Sequence, residues 1–109
     1  MLASKRTPAA AVFRAVADPT RRAILDLLLG GERTVGEIAD RFAVSRPAVS
    51  KHLRVLRTAR LVKARRDGRQ RLCAVDVEPL RAIDAWLEAY RREWQGRLIR
   101  LKRHVEAQN

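Results

Sequence analysis

The stretch VSRPAVSKHLRVLR, residues 44–57, sorts its chemistry by side. Wound as a helix, Val49, Leu53 and Leu56 fall at i, i+4 and i+7, with Ala48 and His52 alongside, and should face a core. Arg46, Pro47, Ser50, Lys51 and Arg54 fall on the other side. Guanidinium, ammonium and hydroxyl donors on one face suit an anionic partner with acceptors at fixed spacing. A second cluster, Arg65, Arg66, Arg69 and Arg71, brackets Asp67-Gly68. Residues 41–71 hold eleven Lys or Arg and one acid, Asp67, so ten of the twelve net positive charges sit there. Charge of that density implies a polyanion, either nucleic acid or an anionic membrane surface.

Elements that could position these groups are legible around them. Asp18 followed by Pro19 predicts a helix start, with Ile24, Leu25, Leu28 and Leu29 at helical spacing and Gly30-Gly31 as the stop. Before it, residues 9–17 read as a short helix carrying Val12, Phe13 and Val16 on one side. TVGEIADRF opens with Thr34 and Glu37 in capping-box spacing and carries Val35, Ile38, Ala39 and Phe42 as its apolar face. After a short turn, Ser45 caps the next helix, and Pro47 sits in the first turn, where a missing N–H costs nothing. Two short helices joined by a tight turn, the second basic at its start, form a helix-turn-helix pattern. Asp67-Gly68 between two short apolar runs predicts a β-hairpin. An arginine-tipped hairpin directly after a helix-turn-helix is a wing.

From about Pro79 to His104 the apolar residues Leu80, Ile83, Leu87, Tyr90, Trp94, Leu98, Leu101 and Val105 step by three or four. This predicts a helix of roughly 26 residues, about 40 Å long. A core of some 60 residues cannot cover it, whereas a second copy of the same helix can. Burying Tyr90, Trp94, Leu98 and Leu101 in both copies removes several hundred square ångströms of apolar surface. That is worth on the order of 10 kcal/mol before association entropy is subtracted. The expected fold is mostly α with a β-hairpin: one winged helix-turn-helix domain spanning 1–109, its DNA-binding core at 10–76 and a dimerisation helix at 79–105. The expected seam comprises Val12, Phe13, Val16, Leu87, Tyr90, Trp94, Leu98 and Leu101.

A two-fold dimer would set its two basic helices about 34 Å apart, one turn of double-stranded DNA, and read an inverted repeat in successive major grooves. Arg46 has the reach for a bidentate contact to guanine O6 and N7. Ser50 and Lys51 reach a base edge or a phosphate, and Pro47 offers apolar surface to a thymine methyl. Thr34 and Ser45, at helix starts, suit phosphate oxygens. Arg65, Arg66, Arg69 and Arg71 would hold the backbone or the neighbouring minor groove. Arg54, and Arg57 beyond it, fit either a contact or plain solvated surface.

Other classes find little support. No phosphate loop, nucleophile elbow or carboxylate pair appears, so no enzyme is expected; Asp18, Asp26 and Asp84 have helix-surface explanations. Cys73, His52 and His104 make no recognisable metal-ligand set, and neither a metal nor another cofactor is expected. Cys73 reads as a small core residue and His52 as a partly buried, hydrogen-bonded histidine. A single cysteine makes no internal disulfide and fits a reducing cytoplasm. No apolar run approaches membrane-spanning length. Arg14 and Asp18 break up the apolar N-terminal part, which argues against an export signal. The final helix interleaves acids with its bases and is a poor membrane-surface helix. The rival within DNA binding is a non-specific architectural protein.

The residues ADPTRRAILDLL, SRPAVSKHLRVLR and RRDGRQRLCAV together resemble the ArsR/SmtB family of bacterial winged-helix repressors, over about residues 10 to 104. The resemblance implies a cytoplasmic bacterial dimer built from the first and last helices. It also implies operator binding that blocks transcription and release by an effector. Arg46, Pro47, Ser50 and Lys51 occupy the family's base-reading positions. The metal-sensing members' cysteine pairs and paired histidine and carboxylate ligands are missing, which places the chain nearer the non-metal subgroup. There the resemblance leaves open an unidentified small-molecule effector or none.

Overall fold

The structure, a computed structural model, describes residues 7–108. The readings that touch residues 1–6, the argument against an export signal among them, lie partly outside the described residues. Five helices and a small sheet follow in the order α1 (Pro8–Val16), α2 (Pro19–Leu29), β1 (Arg33–Thr34), α3 (Val35–Arg41), α4 (Arg46–Thr58), β2 (Val62–Asp67), β3 (Gln70–Val75) and α5 (Arg81–Ala107). A single 3-10 turn, Glu78–Leu80, leads into α5. This is the winged helix-turn-helix that the sequence predicts.

Local chemistry sets the helix starts. Thr7, Asp18, Thr34 and Ser45 each accept a hydrogen bond from the backbone N–H three residues on. At Thr34 the exchange is reciprocal: its hydroxyl accepts from the Glu37 N–H at 3.1 Å, and the Glu37 carboxylate accepts from the Thr34 N–H at 3.0 Å. Each cap offsets one of the otherwise unsatisfied first-turn donors, typically for about 1 kcal/mol. The end of α4 is equally defined. Arg60 adopts φ 63°, the Arg60 N–H donates to the Arg57 carbonyl, and the Leu61 N–H reaches back to the Leu56 carbonyl at 2.9 Å. These paired bonds form a Schellman close, and the apolar side chains that accompany it, Leu56 and Leu61, are both fully buried.

The core lies where α2, α3 and α4 meet. Ile24, Ile38, Val49, Leu56 and Leu61 are its largest fully buried side chains. Burial of each removes an apolar side chain from water, worth about 1.5–3 kcal/mol. Val62 and Cys73 close it from the sheet, and Val12 and Ala15 from α1. The three strands run antiparallel in the order β1-β3-β2. The hairpin pairs Asp67 with Gln70, so its two-residue loop is Gly68-Arg69 rather than Asp67-Gly68. Gly68 supplies the positive φ, 64°. Strand β1, which has no counterpart in the sequence reading, pairs Arg33 with Cys73 and Thr34 with Leu72.

Helix α5 has no buried residue along its 27. Ile83 is the last of its side chains packed on the core. Beyond, Trp86 meets Phe13 edge-on with ring centroids 5.5 Å apart, and Tyr90 lies 5.1 Å from Trp86. Tyr90, Trp94, Leu98, Ile99, Leu101 and Val105 are all exposed. The helix projects from the body and stretches the molecule to 66 × 36 × 22 Å. Among the described residues no helix is long and apolar enough to cross a membrane.

Candidate nucleic-acid interface

The two faces of α4 separate as the spacing predicts. Val49, Leu53 and Leu56 are 0%, 4% and 0% exposed, whereas Arg46, Pro47, Ser50, Lys51 and Arg54 all face solvent. Ser45 spends its oxygen lone pair on the Ala48 N–H at 3.3 Å and keeps its hydroxyl proton to donate, as does Thr34 at the start of α3. Arg46 folds back onto α3, its guanidinium resting over Gly36. His52 is three-quarters covered, its Nδ1 3.4 Å from an Arg21 guanidinium nitrogen and 3.9 Å from the Asp18 carboxylate. That is the partly buried structural histidine expected. Arg21, which donates in addition to the Ala15 and Arg14 carbonyls, ties α1, α2 and α4 together.

The hairpin splits its arginines between two faces. Arg66 stands directly opposite Arg71. Like charges paired across strands destabilise a sheet, and neither arginine has an acidic partner among the described residues. Arg65 points to the other face and is already engaged. It makes a bidentate ion pair with Glu32, Nε to Oε2 at 2.9 Å and Nη2 to Oε1 at 3.0 Å. The Arg65 hydrogen bonds hold the Glu32 carboxyl below its ordinary pKa. Its visible job is to fasten the middle of β2 to the α2–β1 connection. The expectation that Arg65 meets DNA therefore competes with an existing partner.

Charge pairing divides the molecule. On α5, Arg81, Arg91, Arg92, Arg97, Arg100 and Lys102 all pair with carboxylates of the same helix or of the preceding turn. On α4 and the hairpin tip, Arg46, Lys51, Arg54, Arg57, Arg66, Arg69 and Arg71 make no ion pair among the described residues. Seven cations without an ion pair thus lie along one helix and one hairpin; Arg41 on α3 and Arg103 on α5 are further ones. Arg57 belongs to this set, although its position gave no preference between contact and solvent.

The apolar seam needs one correction. Val12 is 2% exposed within the single chain and belongs to its core; a side chain buried there has no surface left for a partner. Val16 packs partly against the same core. Val16 keeps part of its surface exposed, and Trp86, 53% exposed and edge-on to Phe13, adds apolar surface beside it. Cys73 is buried as expected, and burial pushes its thiol pKa up. Among the described residues no three His, Cys, Asp or Glu side chains gather to hold a metal ion.

A family model, the one described as bacterial regulatory protein, arsR family, matches residues 18–64, from the cap of α2 through the helix-turn-helix to the first half of β2. The crystal structure of an ArsR family transcriptional regulator superposes with a TM-score of 0.72 at 38% identity, covering 81% of this chain and 91% of that one. The chain belongs to the ArsR family. This ArsR-family chain is 47% identical over 78 residues to the HTH-type transcriptional regulator Rv2034 of Mycobacterium tuberculosis, covering 72% of the chain and 73% of the relative. It is 51% identical over 57 residues to the transcriptional repressor SdpR of Bacillus subtilis, a match covering 52% of the chain and 63% of that repressor. A homodimeric winged helix-turn-helix DNA-binding domain from Mycobacterium bovis, solved by NMR, has a TM-score of 0.66 at 31% identity, with 85% and 86% of the two chains covered. These relatives are named as regulators, not as enzymes.

Proposed function

We propose that the protein is a homodimeric, sequence-specific transcriptional repressor of bacterial cytoplasm that binds an inverted-repeat operator. Residues 10–76 act as the DNA-binding core and 79–105 as the dimerisation helix. The observation that carries the reading is the division of charge. Seven cations without an ion pair among the described residues line α4 and the hairpin, while six of the seven Lys and Arg of α5 pair with carboxylates and its apolar stripe is left bare. The first surface is built for a polyanion and the second for a copy of itself. The relatives named as repressor, regulator and homodimeric DNA-binding domain support both parts.

In this reading α4 enters the major groove. Arg46 reads guanine, and Ser50 and Lys51 reach a base edge or phosphate. Pro47 offers a thymine methyl its apolar surface, and Thr34, Ser45 and Arg54 reach the backbone. Arg66, Arg69 and Arg71 reach the backbone beside the groove. Phe13, Val16, Trp86, Leu87, Tyr90, Trp94, Leu98 and Leu101 form the dimer seam. A competition gel shift with the DNA upstream of the gene against random duplex tests the proposal. The expected preference is about 10³-fold or more. Equal affinity for both duplexes would make this an architectural DNA-binding protein and overturn the regulator reading.

A further inference from the structure

Between α4 and the hairpin lies a cavity of about 140 Å³ whose lining includes Ser50, Arg54 and Arg57 from the helix and Arg71 from β3. Its size admits an oxyanion with its first waters, a water's share of liquid volume being about 30 Å³. Three arginines from two elements line it, two of them, Arg57 and Arg71, close enough for their charges to act on Cys73, and none has an acidic partner among the described residues. Arg71 is held there by the sheet register, opposite Arg66. The floor is formed by Leu53 and Cys73, both buried. Burial raises the Cys73 pKa, which keeps its thiol neutral. No negative charge of the protein itself lines the cleft.

The shape of duplex DNA supplies the occupant. A helix in the major groove and a hairpin tip beside it in the adjacent minor groove are separated by one sugar–phosphate strand. That strand has to cross the gap between the two elements, and the cleft is that gap. We propose that the cleft seats one backbone phosphate of each half-site. Arg57 and Arg71 grip it, and Arg54 and the Ser50 hydroxyl flank it. Such a contact reads no base. It fixes how deep and in what register α4 lies in its groove, so that Arg46 meets a defined base pair. This inference rests on the DNA-binding reading above.

The test uses the full chain, its upstream DNA and a random duplex, with affinity measured between 50 and 200 mM salt. Arg57→Gln and Arg71→Gln are each expected to weaken binding to both duplexes by a similar factor, about tenfold. Each should lower the slope of log affinity against log salt by about 0.9 per half-site. An unchanged slope with intact wild-type binding overturns the phosphate seat. Failure of the wild type to bind either duplex overturns the DNA-binding reading instead. Because Arg57 is half-buried, a second measurement needs no folded variant at that position. Upstream DNA carrying a neutral methylphosphonate at each phosphate in turn should show one position per half-site that weakens wild-type binding. At that position Arg71→Gln should cost nothing more. The absence of any such position would overturn the proposal.

Discussion

The Arg46 guanidinium lies across Gly36 so closely that a methyl group there would stand 2.5 Å from Nη2 and 3.3 Å from Cζ. The first turn of α3 is thus a bare shelf on which the leading arginine of α4 rests. Alanine is favoured over glycine inside a helix by about 1 kcal/mol, so Gly36→Ala should leave the melting temperature unchanged or raised. The added methyl displaces Arg46, so operator affinity should fall and the preference at one base position should relax, as in Arg46→Ala, for which about 1–3 kcal/mol is expected. Thermal unfolding beside a binding assay on single-base operator variants measures both. A protein with unaltered base preference would show that this resting place has no part in recognition.

The hairpin arginines should not behave alike. Arg69, in the loop and unpaired, should on replacement by alanine lower affinity with little sequence dependence and flatten the salt response. Arg65 is already neutralised by Glu32, so Arg65→Ala should change the salt response less. Glu32→Gln should release Arg65 and strengthen binding to random DNA. Weaker binding by that variant would show that the ion pair's service to hairpin position outweighs the charge it withholds.

Trp94 is 63% exposed on the projecting part of α5. Trp94→Ala removes one of the largest apolar surfaces of the seam and should shift dimer toward monomer. Light scattering across a dilution series would reveal this as a lower mean mass than wild type at equal concentration. An unchanged mass at every dilution would place the partner elsewhere.

Four carboxyls are held below their ordinary pKa. In Asp18 and Asp76 the chief cause is a hydrogen bond from a backbone N–H, of Arg21 and Glu78 respectively. In Glu37 it is the Thr34 N–H, and in Glu32 the Arg65 side chain. A depressed carboxyl stabilises the fold above its unfolded pKa of about 4, and the contribution disappears as pH falls through the lower, folded value. The urea midpoint should therefore hold steady from neutrality to about pH 5 and drop below that. Glu37→Gln and Asp18→Asn should each flatten the drop. A midpoint that rose on acidification would contradict these assignments.

What the sequence makes legible follows the range of each interaction. The caps at Asp18, Thr34 and Ser45 join residues three apart, so the residue types announce them. The buried face of α4 follows from periodicity alone. The pairing of β1 with β3 escapes such reading, because a two-residue strand has no period and its partner Cys73 lies forty positions beyond Arg33. The Arg65–Glu32 ion pair spans 33 residues and depends on hairpin register; shifting the loop from Asp67-Gly68 to Gly68-Arg69 fixes which arginines share a face. Val12 shows a different limit. Helical spacing placed it with Phe13 and Val16, but spacing cannot say whether the chain's own core or a second chain will cover that side. Trp86 fits the same three-and-four stepping, three after Ile83 and four before Tyr90, but so does its neighbour Leu87, and only the contact with Phe13 reveals where Trp86 lies.

Ile83 is the last α5 side chain packed on the protomer's core, so the body is complete before most of that helix has found company. Each molecule can therefore wait as a folded half, and only an encounter yields a reader with two heads. At dilutions below the pairing constant, the number of such readers grows as the square of how much chain the cell has made. Doubling the supply would then quadruple the occupied sites, giving a sharper threshold than a solitary binder could set.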